Sequence, residues 1–542
     1  MNWLTKDEHG KPLCNFRICI ISADSIYTDA GQTPIPYVRF FLDFEDDSPK
    51  NAKVHCVKVA EIDRINWLGL DIKCLYNPDV KKKTVERHLY DSLRHELQTA
   101  PERTVYRFRH AGMRLIEGKP VFCTGTEAIH DHSFGSNIFF EPDPMCQKLD
   151  VDEKLSEEDA AAEFFRLLTL SPNPSSVILA YKLGFFMRLG YERIGKIPKG
   201  CIYLYGRSGI QKTTYSSFLV QTYDRNSGIK SPSRLSASIP AAVNILLENP
   251  NDVVIMDDLF PADSNRKKDQ QEELLIEITR YIGDGTVPAR MKGKELLQGY
   301  PKCGVIFTGE YLIGTGSDAA RLLPVEMTKP DTTELGYFQA HPLIVSTFYR
   351  NYITWFIYHY DEVCDTLIQL KETYENTALN VHDRLKEMHF FLVSSYFFFM
   401  QYLYEKKLLP ESDASRLYHS FNELLVKLVK KQNERVRRTG GYGQLENEDY
   451  LQQIRKLYKT GQMHIASDAK TFDKEVHDGL LHRNKLYLRG DRVSAYFPGA
   501  KIKDIADSLE AQGVLETGKS SRTKQVSGLK GLRFYVIPRY LL

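Results

Sequence analysis

Net charge is nearly absent from this chain: 72 basic and 70 acidic side chains leave +2 over 542 residues. Such a balance neither demands nor excludes a nucleic-acid partner, because a local basic patch is enough to hold phosphates. Paired cysteines are also missing. The nine cysteines (positions 14, 19, 56, 74, 123, 146, 201, 303 and 364) include no C-x-x-C, which argues against a zinc ribbon. An odd, scattered set fits free thiols in a reducing compartment. No segment is poor enough in apolar residues to demand disorder, with 42% of the chain hydrophobic and 26% charged. No repeat of fixed period is visible. Residues 1–13 lack the basic-then-apolar profile of a secretion signal. The one apolar run worth weighing, 388–404, carries Ser394, Ser395 and Gln401 and is dominated by aromatics. A bilayer span wants about 20 predominantly apolar residues, so the expectation is a buried helix, no membrane contact and a cytoplasmic protein.

The length exceeds a single core, since domains run to about 100–200 residues. Residues 1–150 read as a β-rich domain, with strand-like stretches at 16–22, 37–44, 54–59 and 118–123 and a charged helix over 80–97. The acidic run 150–164, after Pro142 and Pro144, looks like a linker turning into a helix, and 175–190 is apolar and helical. From about 200 to 330 strand and helix patterns alternate, the signature of a parallel sheet with crossover helices. The expected division is a β-rich domain at 1–150, an α/β nucleotide-binding domain with preceding helices at 151–335, a helical connector at 336–440 and a small domain at 445–542. A glycine-rich hinge at 440–443 precedes the last of these.

The apolar strand 201–205 runs into Gly206-Arg207-Ser208-Gly209-Ile210-Gln211-Lys212-Thr213-Thr214 and then into a helical stretch. Glycines let backbone N–H groups turn inward around phosphate oxygens, and the helix N-terminus adds partial positive charge. Gly206, Ser208, Gly209, Gln211, Lys212, Thr213 and Thr214 are therefore the expected ATP contacts, with Lys212 reaching the β- and γ-phosphates and the Thr213 hydroxyl ligating Mg2+. Gln211 stands where the common pattern has Gly, a place that in principle needs no positive φ. A second apolar strand, 252–258, ends in Asp257 and Asp258. Ligands bind at the C-terminal ends of such buried strands. Asp257 is expected to hold magnesium and Asp258 to polarise the attacking water, though most such enzymes use Glu at the second place. A third strand, 303–307, ends at Thr308-Gly309-Glu310, and Gly316 to Glu326 carries Arg321 ahead of the last core strand. In order and spacing these elements mark an ATP-hydrolysing P-loop enzyme.

Between the second and third strands, two short strand-like arms surround Lys292-Gly293-Lys294, reading as a hairpin with a basic tip and Arg290 at its base. In the tail, Ile502, Ile505, Ala506 and Leu509 fall on one helical face. Residues 518–531 then carry Lys519, Arg522, Lys524 and Lys530 without an acid, and 532–537 returns as a strand. Helix, basic loop, strand is the outline of a winged helix, which suits phosphate contacts but also serves for protein docking. Two other features have plainer explanations. His130-Asp131-His132 lacks zinc spacing and reads as a surface turn. Asp43 and Glu45 resemble a two-metal pair of primases, but a strand entering an acidic turn explains them as well.

The set resembles the AAA+ replication helicases of bacterial mobile elements, the initiator-helicases of cassette chromosomes and pathogenicity islands, related to the minichromosome-maintenance proteins and like the superfamily-three helicases. The resemblance rests on GRSGIQKTT, VVIMDD, the ARMKGK hairpin, VIFTGE and SDAARLLPVEM, and it covers 200–330 better than the first 150 residues. It implies a γ-phosphate sensor at Thr308 (or Glu310) and an arginine finger at Arg321 acting on a neighbour's ATP. It further implies a pore hairpin gripping DNA through Arg290, Lys292 and Lys294, DNA contacts by Lys519, Arg522 and Lys524 of the winged tail, and a hexameric ring on single-stranded or forked DNA, with other replication proteins as possible partners. Two rivals remain: an AAA+ switch acting on a protein partner, and a primase-helicase using Asp43 and Glu45.

Overall fold

In the middle of the chain, four apolar runs form the strands of a parallel sheet. A computed structural model describes residues 3–29, 31–45, 52–223, 233–234, 238–259, 265–288, 290–292, 295–297, 299–313, 316–375, 379–439, 450–497, 502–511, 513–517, 521–529 and 531–539. The labels used below are β1 (Arg17–Thr28), β2 (Gly31–Asp43), β3 (Val54–Lys58), α1 (Lys82–Leu97), β4 (Glu102–Tyr106), β5 (Gly112–Ile116), β6 (Lys119–Cys123), β7 (Ala128–Ile129) and β8 (Ile138–Phe140). They continue with α2 (Glu157–Thr169), α3 (Pro172–Phe186), β9 (Cys201–Tyr205), α4 (Lys212–Leu219), β10 (Ser233–Arg234), α5 (Ile239–Glu248), β11 (Val253–Leu259), α6 (Asn265–Asp284), β12 (Arg290–Lys292), β13 (Glu295–Leu297), β14 (Gly304–Gly309) and β15 (Leu322–Glu326).

Those four strands and the short β10 pair in the order β10-β11-β14-β9-β15, every pair parallel. Continuous apolar sequence suits strands covered on both faces: all six residues of β14 are buried, as are the first four of β9. Pro324 sits in β15, which lies at the sheet edge where no ladder N–H is needed. The fold is mixed α/β built on this parallel sheet.

One face of the sheet packs on α3, a helix apolar all round and buried along nearly its whole length. It also meets helices α7 (Leu343–Tyr358), α8 (Tyr360–Glu375), α9 (Asp383–Glu405) and α10 (Glu411–Thr439). One continuous apolar cluster joins Phe164, Ile178, Ile255, Ile306, Phe348, Phe391 and Val429. The helices after 336 thus share their core with the sheet. The apolar run 388–404 lies inside α9, where Tyr191 shares its hydroxyl with Ser394 and Ser395 at 2.8 Å each. Among the described residues no helix is long and apolar enough to cross a membrane.

The first 150 residues form two sheets, β8-β4-β1-β2-β3 and β5-β6-β7. Val38, Phe40 and Leu42 of β2 pack against Val85, Leu89 and Leu93 of α1. Strand β2 begins at Gly31, well before the stretch read from sequence. Pro34 and Pro36 interrupt the pattern, yet β3 pairs only with Tyr37 to Phe41 and leaves both prolines on a free edge. At the C-terminus, α11 (Tyr450–Lys459) and α12 (Ile502–Ala511) cover a sheet of β16 (Ile465–Ala466), β17 (Gly479–His482), β18 (Lys485–Arg489) and β19 (Phe534–Pro538). Ile505, Ala506 and Leu509 are buried there as one face.

Candidate nucleotide site

Strand β9 ends at Tyr205, and the loop 206–211 crosses the C-terminal edge of the sheet before α4 begins at Lys212. Gly209 has φ 79°, a left-handed conformation that glycine adopts without steric cost. Gln211 also lies there, with φ 62° and ψ 30°. This corrects the expectation that the position needs no positive φ: the chain must make a left-handed step to start α4, and a β-carbon resists it. The side-chain oxygen of Gln211 is buried with no hydrogen-bond partner. Lys212 folds back over the loop, its ammonium donating to the carbonyls of Gly206 at 2.8 Å and Arg207 at 2.9 Å. Burial pushes its pKa below the ordinary lysine value, against the opposing pull of Glu310 and Asp257.

Three elements meet beside the loop. Thr213, in the first turn of α4, donates its hydroxyl to Asp257 Oδ1 at 2.5 Å. Thr308, near the end of β14 and 1% exposed, donates its hydroxyl to the same oxygen. Strand order explains the meeting, because β14 lies between β9 and β11 and brings the ends of all three together. A carboxylate flanked by two hydroxyls is an oxygen donor set of the kind Mg2+ takes. The residues present therefore fit the metal that a nucleotide would bring. Glu310 is exposed at the end of β14 and bonds through its backbone N–H to Leu259 O at 3.0 Å. The Asp258 backbone continues β11, while its side chain lies outside the described residues. Ser208 and Thr214 occupy the loop and the first turn of α4.

Arg321 is not part of this group. It precedes β15 at the opposite edge of the sheet, where its carbonyl accepts from Cys201 N–H at 2.8 Å. Its guanidinium, 8% exposed, donates to Asp284 Oδ1 at 2.8 Å and Ser317 Oγ at 2.9 Å. Gly283 makes room for it, since a β-carbon there would lie 2.6 Å from Arg321 Nε. Within this chain Arg321 pins the end of α6. Arg280, paired with Asp318 through two bonds of 3.0 Å, is the more exposed cation at that edge.

Other cations that the sequence did not single out reach the loop side. From α10, Lys431 donates to the Tyr205 hydroxyl at 3.4 Å, and Arg435 donates to Ile313 O at 2.7 Å. Periodicity marks α10 as amphipathic, but nothing local says which of its many basic residues docks there.

Of the expected DNA contacts, Arg290 and Lys292 lie in β12, which pairs antiparallel with β13 in the register Arg290↔Leu297 and Lys292↔Glu295. Their side chains, and all of Lys294, lie outside the described residues, as does Lys519. In the tail, Lys524 forms an antiparallel bridge to Phe534. The loop is less free in charge than its acid-free sequence implies. Arg522 pairs with Asp507 and with Glu510, and Lys524 with Glu516 at 2.9 Å. Helix α12 supplies the first two of those carboxylates from another part of the sequence. His130 and His132 pack ring against ring at 4.7 Å. Asp43 ends β2, and Glu45 is exposed beyond it. Among the described residues no group of three or more metal-ligating side chains occurs.

No protein-family model and no curated protein matches the chain. Among solved structures, its fold is that of SCCmec type IV Cch, described as an active helicase. The TM-score is 0.54 at 12% identity, covering 96% of this chain and 92% of that one. The resemblance read from the motifs is thus met at the level of the fold. Fainter likenesses link it to the NrS-1 C-terminal region (TM-score 0.29, 10% identity, 92% and 94% of the two chains). JCV helicase is fainter still (TM-score 0.21, 16% identity, 43% and 72%). Both are too weak in shape to weigh.

Proposed function

We propose that the protein is an ATP-dependent DNA helicase that works as a ring on single-stranded DNA, in the replication of a mobile element. The observation that carries this is the meeting of Thr213, Asp257 and Thr308 beside the Lys212 loop, in a chain that shares the fold of an active helicase. On this reading Lys212 releases the loop carbonyls and turns to the β- and γ-phosphates, while the backbone of 206–211 cradles them. Thr213 and Asp257 would hold Mg2+, which when bound neutralises phosphate charge. Asp258 polarises the attacking water, and Thr308 couples the phosphate end to Asp257.

In the ring, Arg321 faces the ATP of the neighbouring subunit once its bond to Asp284 opens, where its charge stabilises the transition state. The β12–β13 hairpin presents Arg290, Lys292 and Lys294 to the DNA backbone. Lys519, Arg522 and Lys524 of the tail touch duplex phosphates, two of them after exchanging an internal carboxylate for a phosphate oxygen. A β-rich domain at 1–150, an ATPase at 151–335, helices at 336–440 and a winged-helix-like unit at 445–542 complete the proposed organisation.

Strand displacement on forked DNA, with and without ATP, tests the proposal. The double variant Lys292→Ala and Lys294→Ala is expected to lose unwinding while ATP hydrolysis continues. Full unwinding by that variant refutes the hairpin's role, and ATP hydrolysis without any unwinding by the parent protein favours the protein-remodelling reading.

A further inference from the structure

One face of the sheet β8-β4-β1-β2-β3 is filled by core; the other is open along β2 and β3, while Asp24, Ile26 and Val105 on that face are buried. Cross-strand partners share a face. The register Tyr37↔Lys58, Arg39↔Cys56 and Phe41↔Val54 therefore sets these residues together, away from Val38 and Phe40. The pairs Asp24↔Tyr37, Asp24↔Arg103 and Val105↔Phe139 carry the same face across β1, β4 and β8. Tyr37, Phe41 and Phe139 belong to none of the apolar clusters among the described residues. Val54 is 49% exposed and Cys56 is exposed as well. Helix α1 lies on the opposite side, against Val38 and Phe40.

This open face is also basic. Among the described residues, Arg39, Arg103 and Arg107 share two carboxylates. Asp24 takes Arg39 at 2.9 Å and Arg103 at 3.9 Å, and Glu141 touches all three guanidinium groups. Lys58 adds charge at the other end, while Arg17 and Asp43 offset one another across β1 and β2. The Arg103 guanidinium carbon sits over the Phe139 ring, 3.8 Å from its centroid, a cation–π contact. Partly exposed aromatic and guanidinium planes interleaved with surplus positive charge, beside the open edge of a sheet, are what a polynucleotide strand needs: π-faces for its bases and cations for its phosphates.

We infer that this face is a second nucleic-acid site, binding single-stranded DNA with bases stacked on Tyr37, Phe41 and the Arg103–Phe139 pair and phosphates held by Lys58 and Arg107. The choice of DNA rests on the helicase reading above; the presence of a strand-binding face does not. Asp24, buried at 2% exposure, and Glu141 hold the guanidinium groups in place and leave one of their three charges unneutralised.

The test uses the full chain without ATP and an iodouracil-substituted oligothymidylate, with crosslinked peptides mapped by mass spectrometry. Crosslinks at Tyr37, Phe41 or Phe139 are expected. Tyr37→Ala is expected to weaken binding at least about fivefold, as loss of one base stack implies, with Tyr37→Phe restoring it. Arg107→Gln is expected to reduce the slope of log affinity against log salt by about 0.7. Crosslinks confined to 290–297 or to the tail overturn the inference and leave the helicase reading standing. Crosslinks on this face without ATP-driven unwinding do the reverse. Unchanged binding by Tyr37→Ala overturns the inference, and so does an oligouridylate that competes better than oligothymidylate, which assigns the face to RNA.

Discussion

Gln211 holds the loop-to-helix junction in a conformation glycine would take more easily, and that can be measured. With φ 62° and ψ 30°, its β-carbon stands against the following carbonyl, which costs a non-glycine residue roughly 1–2 kcal/mol. Glycine removes that strain but gives back roughly 0.5–1 kcal/mol in unfolded-chain entropy. Alanine keeps the strain and removes only the amide. The buried, unpartnered Oε1 of Gln211, a group whose desolvation costs roughly 1–3 kcal/mol, disappears in both variants. Gln211→Gly should therefore exceed Gln211→Ala in local stability by about 0.5–1 kcal/mol, the difference between the strain relieved and the entropy lost. Hydrogen exchange across α4 (Lys212–Leu219) reads the local opening equilibrium directly, and the expected gain is about two- to fivefold in protection. If the alanine variant protects α4 as well as the glycine variant, the strain argument fails. ATP affinity of Gln211→Gly should not fall; a large loss would mean that the Gln211 amide touches nucleotide and that the strained geometry serves binding.

Two further outcomes follow from buried groups. Thr308→Val removes one of the two hydroxyls on Asp257 Oδ1; a hydrogen bond to a charged group is worth about 1.5–3 kcal/mol, so the magnesium needed for half-maximal ATPase should rise at least about tenfold. Thr308→Ser should stay near the parent, and an unchanged magnesium titration for Thr308→Val would remove Thr308 from the site. His389, stacked on Tyr374 at 5.5 Å inside the helical region, is pushed by burial from 6.5 to about 4, with a weaker opposing pull from Asn422. Its depressed folded-state value means that its contribution is fully present above pH 6.5 and is lost as pH falls toward 4. His389→Leu should therefore lose about 2 kcal/mol less stability than the parent between about pH 7 and pH 5 in urea melts. Parallel losses would show that the histidine is hydrated.

What the chain announces locally is what short-range rules govern. Glycine spacing before Lys212, and apolar runs closing on Asp257 or Thr308, mark strand ends and a phosphate loop because the backbone conformation and the strand period are settled within a few residues. The parallel sheet was legible for that reason. So was the buried helix over 388–404, whose aromatic run is too polar at Ser394 and Ser395 for a bilayer. The sequence misjudged β2, because Pro34 and Pro36 break a strand pattern unless the strand has a free edge, and edges are a property of the sheet.

Only tertiary structure decided which of these pieces touch. The strand order sets Thr308 of β14 against Asp257 of β11 and leaves Arg321 at the far edge, locked to Asp284. The carboxylates that engage Arg522 come from α12, and the cations beside β9 come from α10. Ion pairs and shared cores join residues far apart in the chain, and their partners are chosen by how helices and strands pack. The pattern of a single segment carries no information about that choice.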